Sequence, residues 1–198
     1  MHFVGIFNRR RCGKCGRPAG PAVTGRDLPA TRLNSRRFLA GKSTLADRLA
    51  LAVGVKCVRL DDFVKPEAEW QSHDQPSFPF DFIRYGEFMA AVIGLATCGV
   101  YSYRSYDFET GDIELKPREV RLDRPVIVES ALHPDLAPLY DQRIWVESDE
   151  ASTLTASQQR GMGRWDREWR QLFLPSVDLY LQTKPRDRAD IVARGRGK

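Results

Sequence analysis

Gly41-Lys42-Ser43-Thr44, followed at once by Leu45, Leu49 and Val53 at helical spacing, is the stretch of this chain best suited to hold a phosphate. It reads as the second half of a phosphate-binding loop. Backbone N–H groups at a helix start point at an anion, and the helix dipole favours its charge. Lys42 would reach the outer phosphates, and the Ser43 hydroxyl would ligate Mg2+. The full pattern places a glycine four residues ahead of Ala40, where this chain has Arg36. A carboxylate that activates an acceptor hydroxyl is available in Asp61-Asp62, which follow the short apolar run Lys56–Leu60. Glu129 ends the most continuous buried run, Val126-Ile127-Val128, a position from which a metal beside a nucleotide can be held. Tyr106 and Phe108 flank Asp107, and an aromatic at a strand end can stack on a planar ring, although Phe108 is expected in the core. Arg160, Arg164, Arg167 and Arg170 lie around Gly161 and Gly163. Arginine suits charge that develops on a transferred phosphoryl group, and paired glycines suit a moving joint. Two or three of these four arginines are expected on a solvated helix face, with Trp165 and Trp169 packed inward.

The elements that must position these groups alternate. His2–Phe7 is a first buried strand. Ser43–Val53 is a helix closed by Gly54, and 56–60 is a strand ending at Asp61. Phe80–Thr97 has helical spacing, 100–106 reads as a strand ending in a turn, and 125–130 and 143–147 are strands. A helical segment covers 151–173, and 189–192 is a last strand. Strands alternating with helices imply an α/β fold, a parallel sheet with helices on both faces. Residues 8–37, rich in Arg, Gly, Pro and Ala without a sustained period, read as a loosely held segment. The organisation expected is an atypical basic segment over 1–39 and one domain over 40–198.

The whole chain carries a formal charge of +5, but its first 44 residues hold ten Lys and Arg against the single acidic Asp27. The body is therefore mildly acidic, which argues against a nucleic-acid surface across the domain. No run approaches the ~20 apolar residues of a membrane span, and no secretory pattern opens the chain, so a cytoplasmic protein is expected. Cys12-Gly-Lys-Cys15 is half a zinc knuckle without a second close pair, and Cys57 and Cys98 are expected as small buried hydrophobes.

Taken in order, Gly41-Lys42-Ser43-Thr44, Leu60-Asp61-Asp62-Phe63, Tyr106-Asp107-Phe108-Glu109-Thr110-Gly111, Val126-Ile127-Val128-Glu129, Ile144-Trp145-Val146-Glu147 and Arg188-Ala189-Asp190-Ile191-Val192 resemble the uridine kinase/phosphoribulokinase branch of the P-loop kinases, most of all the bacterial uridine kinase-like proteins. The resemblance covers Ala40 to about Gly195. It implies a P-loop NTPase fold and an ATP- and Mg2+-dependent phosphotransferase. It also implies Asp61 as the catalytic carboxylate, Asp81 as a carboxylate holding sugar hydroxyls, Tyr106 as a ring on the acceptor, and Arg160 and Arg164 as lid arginines. Arg36, Ser130 and Gly111 stand where the family has, in turn, the first loop glycine, a glycine after the strand glutamate, and a base-reading histidine.

The function expected is transfer of the ATP γ-phosphate to a hydroxyl of a small nucleoside-like or sugar-like acceptor. In that scheme Gly41, Lys42, Ser43 and Thr44 cradle the phosphates, Ser43 and Glu129 hold Mg2+, and Asp61 activates the acceptor. Two alternatives stay open: a degenerate nucleotide-binding protein without catalysis, and a protein acting on nucleic acid through its basic arm. The acceptor is a small molecule, no membrane partner is expected, and a homo-oligomer is compatible with the sequence.

Overall fold

The strand Val126–Ser130 sits inside the sheet and is buried along its whole length. In the computed structural model, which describes residues 2–7, 42–70, 75–121, 125–147 and 165–194, every side chain of this strand faces packed protein. That is the environment an uninterrupted Val-Ile-Val run calls for, since both faces of such a strand must be covered. We number the strands β1 (His2–Phe7), β2 (Cys57–Arg59), β3 (Val100–Tyr103), β4 (Tyr106–Asp107), β5 (Asp112–Ile113), β6 (Arg118–Arg121), β7 (Val126–Ser130), β8 (Gln142–Glu147) and β9 (Ile191–Arg194). The helices are α1 (Lys42–Val53), α2 (Glu67–Trp70), α3 (Tyr85–Cys98), α4 (Asp166–Glu168) and α5 (Leu174–Gln182).

The main sheet runs β2-β7-β1-β8-β9. β2 pairs parallel with β7, and β8 with β9. The expected α/β class with helices on both faces is observed. Alternation along β7 divides the packing: Val126 and Val128 join Phe88, Leu95 and Tyr180 on one face, while Ile127 joins Val4, Ala46, Ile144 and Val146 beneath α1 on the other. Leu45 and Leu49 pack there as their spacing predicts, but Val53, in the last turn of α1, is exposed.

One strand departs from the expected parallel arrangement. β1 is antiparallel to both β7 and β8, with Val4 opposite Glu129 and Ile144. Its last residue, Phe7, therefore lies opposite Val126, at the edge where β7 begins, whereas α1 starts beside Glu129, near where β7 ends. A phosphate loop in its usual form joins such a strand and helix directly at one edge. Here the two lie at opposite edges, and residues 8–41 between them fall outside the described residues. β1 is nevertheless closely fitted. A Cβ on Gly5 would lie 2.5 Å from Cδ1 of Tyr140, a ring that is itself buried. Gly5→Val is expected to cost about 1–3 kcal/mol by overpacking, read as a melting temperature lower by roughly 2–4 °C per kcal/mol. An unchanged melting temperature would mean that β1 does not occupy the sheet centre.

Three further boundaries differ from expectation. The segment 100–106 is not one strand of the main sheet: β3 pairs with β6 and β4 with β5, each antiparallel, in two separate hairpin ladders. α3 begins at Tyr85 rather than Phe80, because Phe80, Phe82 and Ile83 form a turn packed into the core and against α5. From Asp166 the chain is helical through a π-turn at Trp169–Phe173 into α5. Pro175 has no N–H to give and its ring crowds the carbonyl four residues back, so a widened turn just ahead of it accommodates the defect.

Candidate active site

Parallel register sets the first pair of site residues. β2 and β7 align Cys57 with Ile127 and Arg59 with Glu129, so these four side chains share the face beneath α1. There the Ser43 hydroxyl donates to Glu129 Oε1 at 2.8 Å. Glu129, with a side chain 1% exposed, is among the most buried charged residues described. A carboxylate so placed requires charged or hydrogen-bonding partners. It receives the Ser43 hydroxyl and the Arg59 guanidinium, whose Nε lies 3.4 Å from Oε2. Arg59 also donates to Asp47 on α1, one turn beyond Ser43. The Cys57 thiol beside this group is pushed up to about 12, by burial first and then by the Glu129 carboxylate. Cys57 is half-buried, but Cys98, expected as a core residue, is exposed at the end of α3.

Two oxygen donors meeting at the start of a helix suit Mg2+, which takes one or two protein oxygens and keeps several waters. Ser43 and Glu129 are the residues that would hold it. Among the described residues no group of three or more His, Cys, Asp or Glu is placed to bind a metal.

The expected catalytic carboxylate lies in a short 3-10 turn, Leu60–Phe63, directly after β2. Leu60 and Phe63 are buried and anchor the turn, while Asp61 points outward and is exposed, without a hydrogen-bond or ion-pair partner among the described residues. Asp62 does a different job. It accepts from the Tyr103 hydroxyl at 2.8 Å and faces Arg118 at 3.6 Å. Burial together with the Asp62 charge raises the Tyr103 phenol well above its usual range. The turn is pinned from behind by Arg84, whose guanidinium donates to the carbonyls of Val64 at 3.2 Å, Asp62 at 3.0 Å and Arg104 at 2.9 Å. It also pairs with Glu87 and lies over the Phe63 ring. No sequence signal marked Arg84, since its partners are backbone atoms distant in the chain.

Tyr106 is buried rather than open. Its hydroxyl donates to Glu67 Oε1 at 3.3 Å, and its ring meets Phe108 edge-on at 4.9 Å. Phe108, expected in the core, is half exposed. Trp165 Nε1 donates to the same Glu67 oxygen at 3.0 Å. Gly111 packs against Glu67 with φ +75°, and a Cβ there would come within 2.6 Å of the carboxyl carbon. The left-handed φ strains any side chain at the position where the resembled family carries histidine, and the Glu67 carboxyl would have to move aside for it. Asp81 is exposed in the turn before α3, its backbone N–H held by Ser77 Oγ at 3.0 Å. Trp165 and Trp169 pack inward with Trp70 and Phe173, as expected, and Arg167 and Arg170 are exposed. Arg36, Gly41, Arg160 and Arg164 lie outside the described residues, as does the side chain of Lys42, which begins α1.

Strands with helices on both faces, and a serine at a helix start bonded to a strand-end glutamate, make this an α/β protein with a candidate phosphate and metal site beneath α1. The comparisons agree at the level of fold. A candidate uridine kinase from Bacillus stearothermophilus superposes with a TM-score of 0.56 at 19% identity, over 77% of this chain and 82% of that one. A candidate fructose transport system kinase from Silicibacter sp. TM1040 superposes with a TM-score of 0.54 at 20% identity, over 77% of this chain and 83% of that one. No family model and no curated protein matches the sequence. Among the described residues no helix is long and apolar enough to cross a membrane.

Proposed function

We propose that the chain is an ATP-dependent phosphotransferase that moves the γ-phosphate to a hydroxyl of a small nucleoside-like or sugar-like acceptor. The observation that carries this reading is the 2.8 Å contact between Ser43 Oγ and Glu129 Oε1 at the start of α1. Lys42 with the amides around Gly41, Ser43 and Thr44 binds the phosphates, and Ser43 and Glu129 hold Mg2+. The metal, when bound, neutralises charge on the phosphate oxygens. Asp61, exposed on its anchored turn, orients the acceptor hydroxyl and accepts its proton. Asp81, exposed in its turn, holds hydroxyls of the acceptor, and Arg160 and Arg164 offset charge on the transferred group. Both structural neighbours carry kinase descriptions, which supports the class but names no acceptor for this chain.

A second reading, nucleotide binding without catalysis, is favoured by the reversed β1, which leaves strand and helix at opposite sheet edges. Calorimetric titration with Mg-ATP separates the two from a protein with no working loop. Micromolar binding is expected, weakened at least about tenfold in Lys42→Ala, the loss of one charged phosphate contact. Equal binding by both proteins would remove the loop from the reading. Binding without transfer to any hydroxyl acceptor in a nucleoside and sugar screen would favour the second reading.

A further inference from the structure

The Ser43–Glu129 pair is wired to a second pair that the proposed reaction does not use. Arg59 ends β2 opposite Glu129 in register and reaches two carboxylates at once. One is Glu129, in an ion-pair contact of 3.4 Å from Nε to Oε2. That Nε is buried and makes no hydrogen bond, so the contact is electrostatic rather than directional. The other is Asp47, to which the guanidinium does donate a hydrogen bond. The environments differ as well: the Glu129 side chain is 1% exposed, those of Arg59 and Asp47 34% and 33%. Glu129 thus sits where a charge must be compensated whether or not a metal is present. Asp47 sits where water shares the load.

We propose that Arg59 is an internal stand-in for the metal: it neutralises Glu129 in the metal-free protein, and Asp47 retains the guanidinium when Mg2+ takes Glu129. The inference rests on the nucleotide and Mg2+ reading above. On the Arg59 side, metal entry then displaces the undirected 3.4 Å contact, while the Arg59–Asp47 hydrogen bond persists. Because Mg2+ must compete with a cation already in place, Arg59 lowers its affinity for the empty protein, so that metal enters with the phosphates. Arginine suits the role because its planar fork serves two carboxylates from one fixed head group, which a lysine ammonium does not. Asp47 is four residues from Ser43 and shares its helix face, so the metal-side and arginine-side partners are set by one element.

The test is the ratio of ADP dissociation constants measured by calorimetry on the full chain in EDTA and in Mg2+. A general effect of Arg59 on phosphate binding cancels in this ratio. R59Q is expected to raise it about fivefold or more, and D47N to lower it. In the double variant D47N/R59Q the ratio should match that of R59Q, since Asp47 then has no guanidinium to retain. Simple addition of the two effects would overturn the proposal, leaving two separate charges near a metal. So would an unchanged ratio in R59Q. D47N, on the more exposed side, carries the test should R59Q fail to fold, and an unchanged ratio there also overturns it. Nucleotide binding with an unaffected ratio defeats this inference alone; no nucleotide binding by the wild-type chain in Mg2+ defeats the kinase reading and the inference with it.

Discussion

Asp61→Asn is expected to lower phosphoryl transfer by about 10²–10⁴-fold while Mg-ATP affinity changes by less than about twofold. The substitution keeps shape and removes only the capacity to accept a proton. Asp61 is exposed, and the turn that carries it is anchored by Leu60, Phe63 and the Arg84 guanidinium, none of which touches the Asp61 carboxylate. The fold should therefore not register the change. Its neighbour provides the internal control. Asp62 accepts from Tyr103 and faces Arg118, so Asp62→Asn is expected to cost about 1–3 kcal/mol of stability with a much smaller effect on turnover. Steady-state rates beside thermal melts of the two variants separate the roles. The assignment fails if Asp62→Asn is the more inactive of the two, or if Asp61→Asn loses ATP binding in step with turnover.

Glu129→Gln should abolish the strengthening of nucleotide binding by Mg2+, an effect of about tenfold or more, the equivalent of 1.4 kcal/mol. Glutamine keeps an oxygen for the Ser43 hydroxyl but carries no charge for the metal. Arg59 loses one of its two carboxylates and retains Asp47, with its side chain 34% exposed, so it is not left as an unpaired buried charge. A modest stability change with complete loss of the Mg2+ effect is the expected signature, measured as ADP affinity with and without metal. A variant that still responds to Mg2+ like the wild type would mean that Glu129 is only a structural partner of Arg59 and Ser43.

The two variants draw on different parts of the sequence–structure relation. The Asp61-Asp62 pair was legible as a strand-end group because it follows an apolar strand in an α/β alternation, and strand ends are where this class of fold gathers its ligands; the choice of Asp61 within the pair is what the resemblance implies. Glu129 was legible for the same reason, as the first charge after a Val-Ile-Val run that only a strand covered on both faces would bury. The helix, expected from Ser43 and observed from Lys42, came from its local sequence, and the spacing of Leu45 and Leu49, though not Val53, revealed the buried face.

What the sequence by itself determined, then, was local: the α/β class, most strands and helices, and a set of chemical groups at their ends. Periodicity and end signals act over one or two turns and survive without knowledge of neighbours. Tertiary structure alone decided the rest. The direction of β1 is set by which strands flank it and not by His2–Phe7, because an apolar strand satisfies its backbone equally in either sense. The burial of Tyr106 and the exposure of Phe108 and Cys98 depend on what packs against each, and no period reports it. Arg84 is tied to three carbonyls, and Arg59 to carboxylates on α1 and β7; no sequence spacing encodes those meetings. The parallel register of β2 on β7, which sets Arg59 against Glu129, turns a strand-end arginine into part of a candidate metal site.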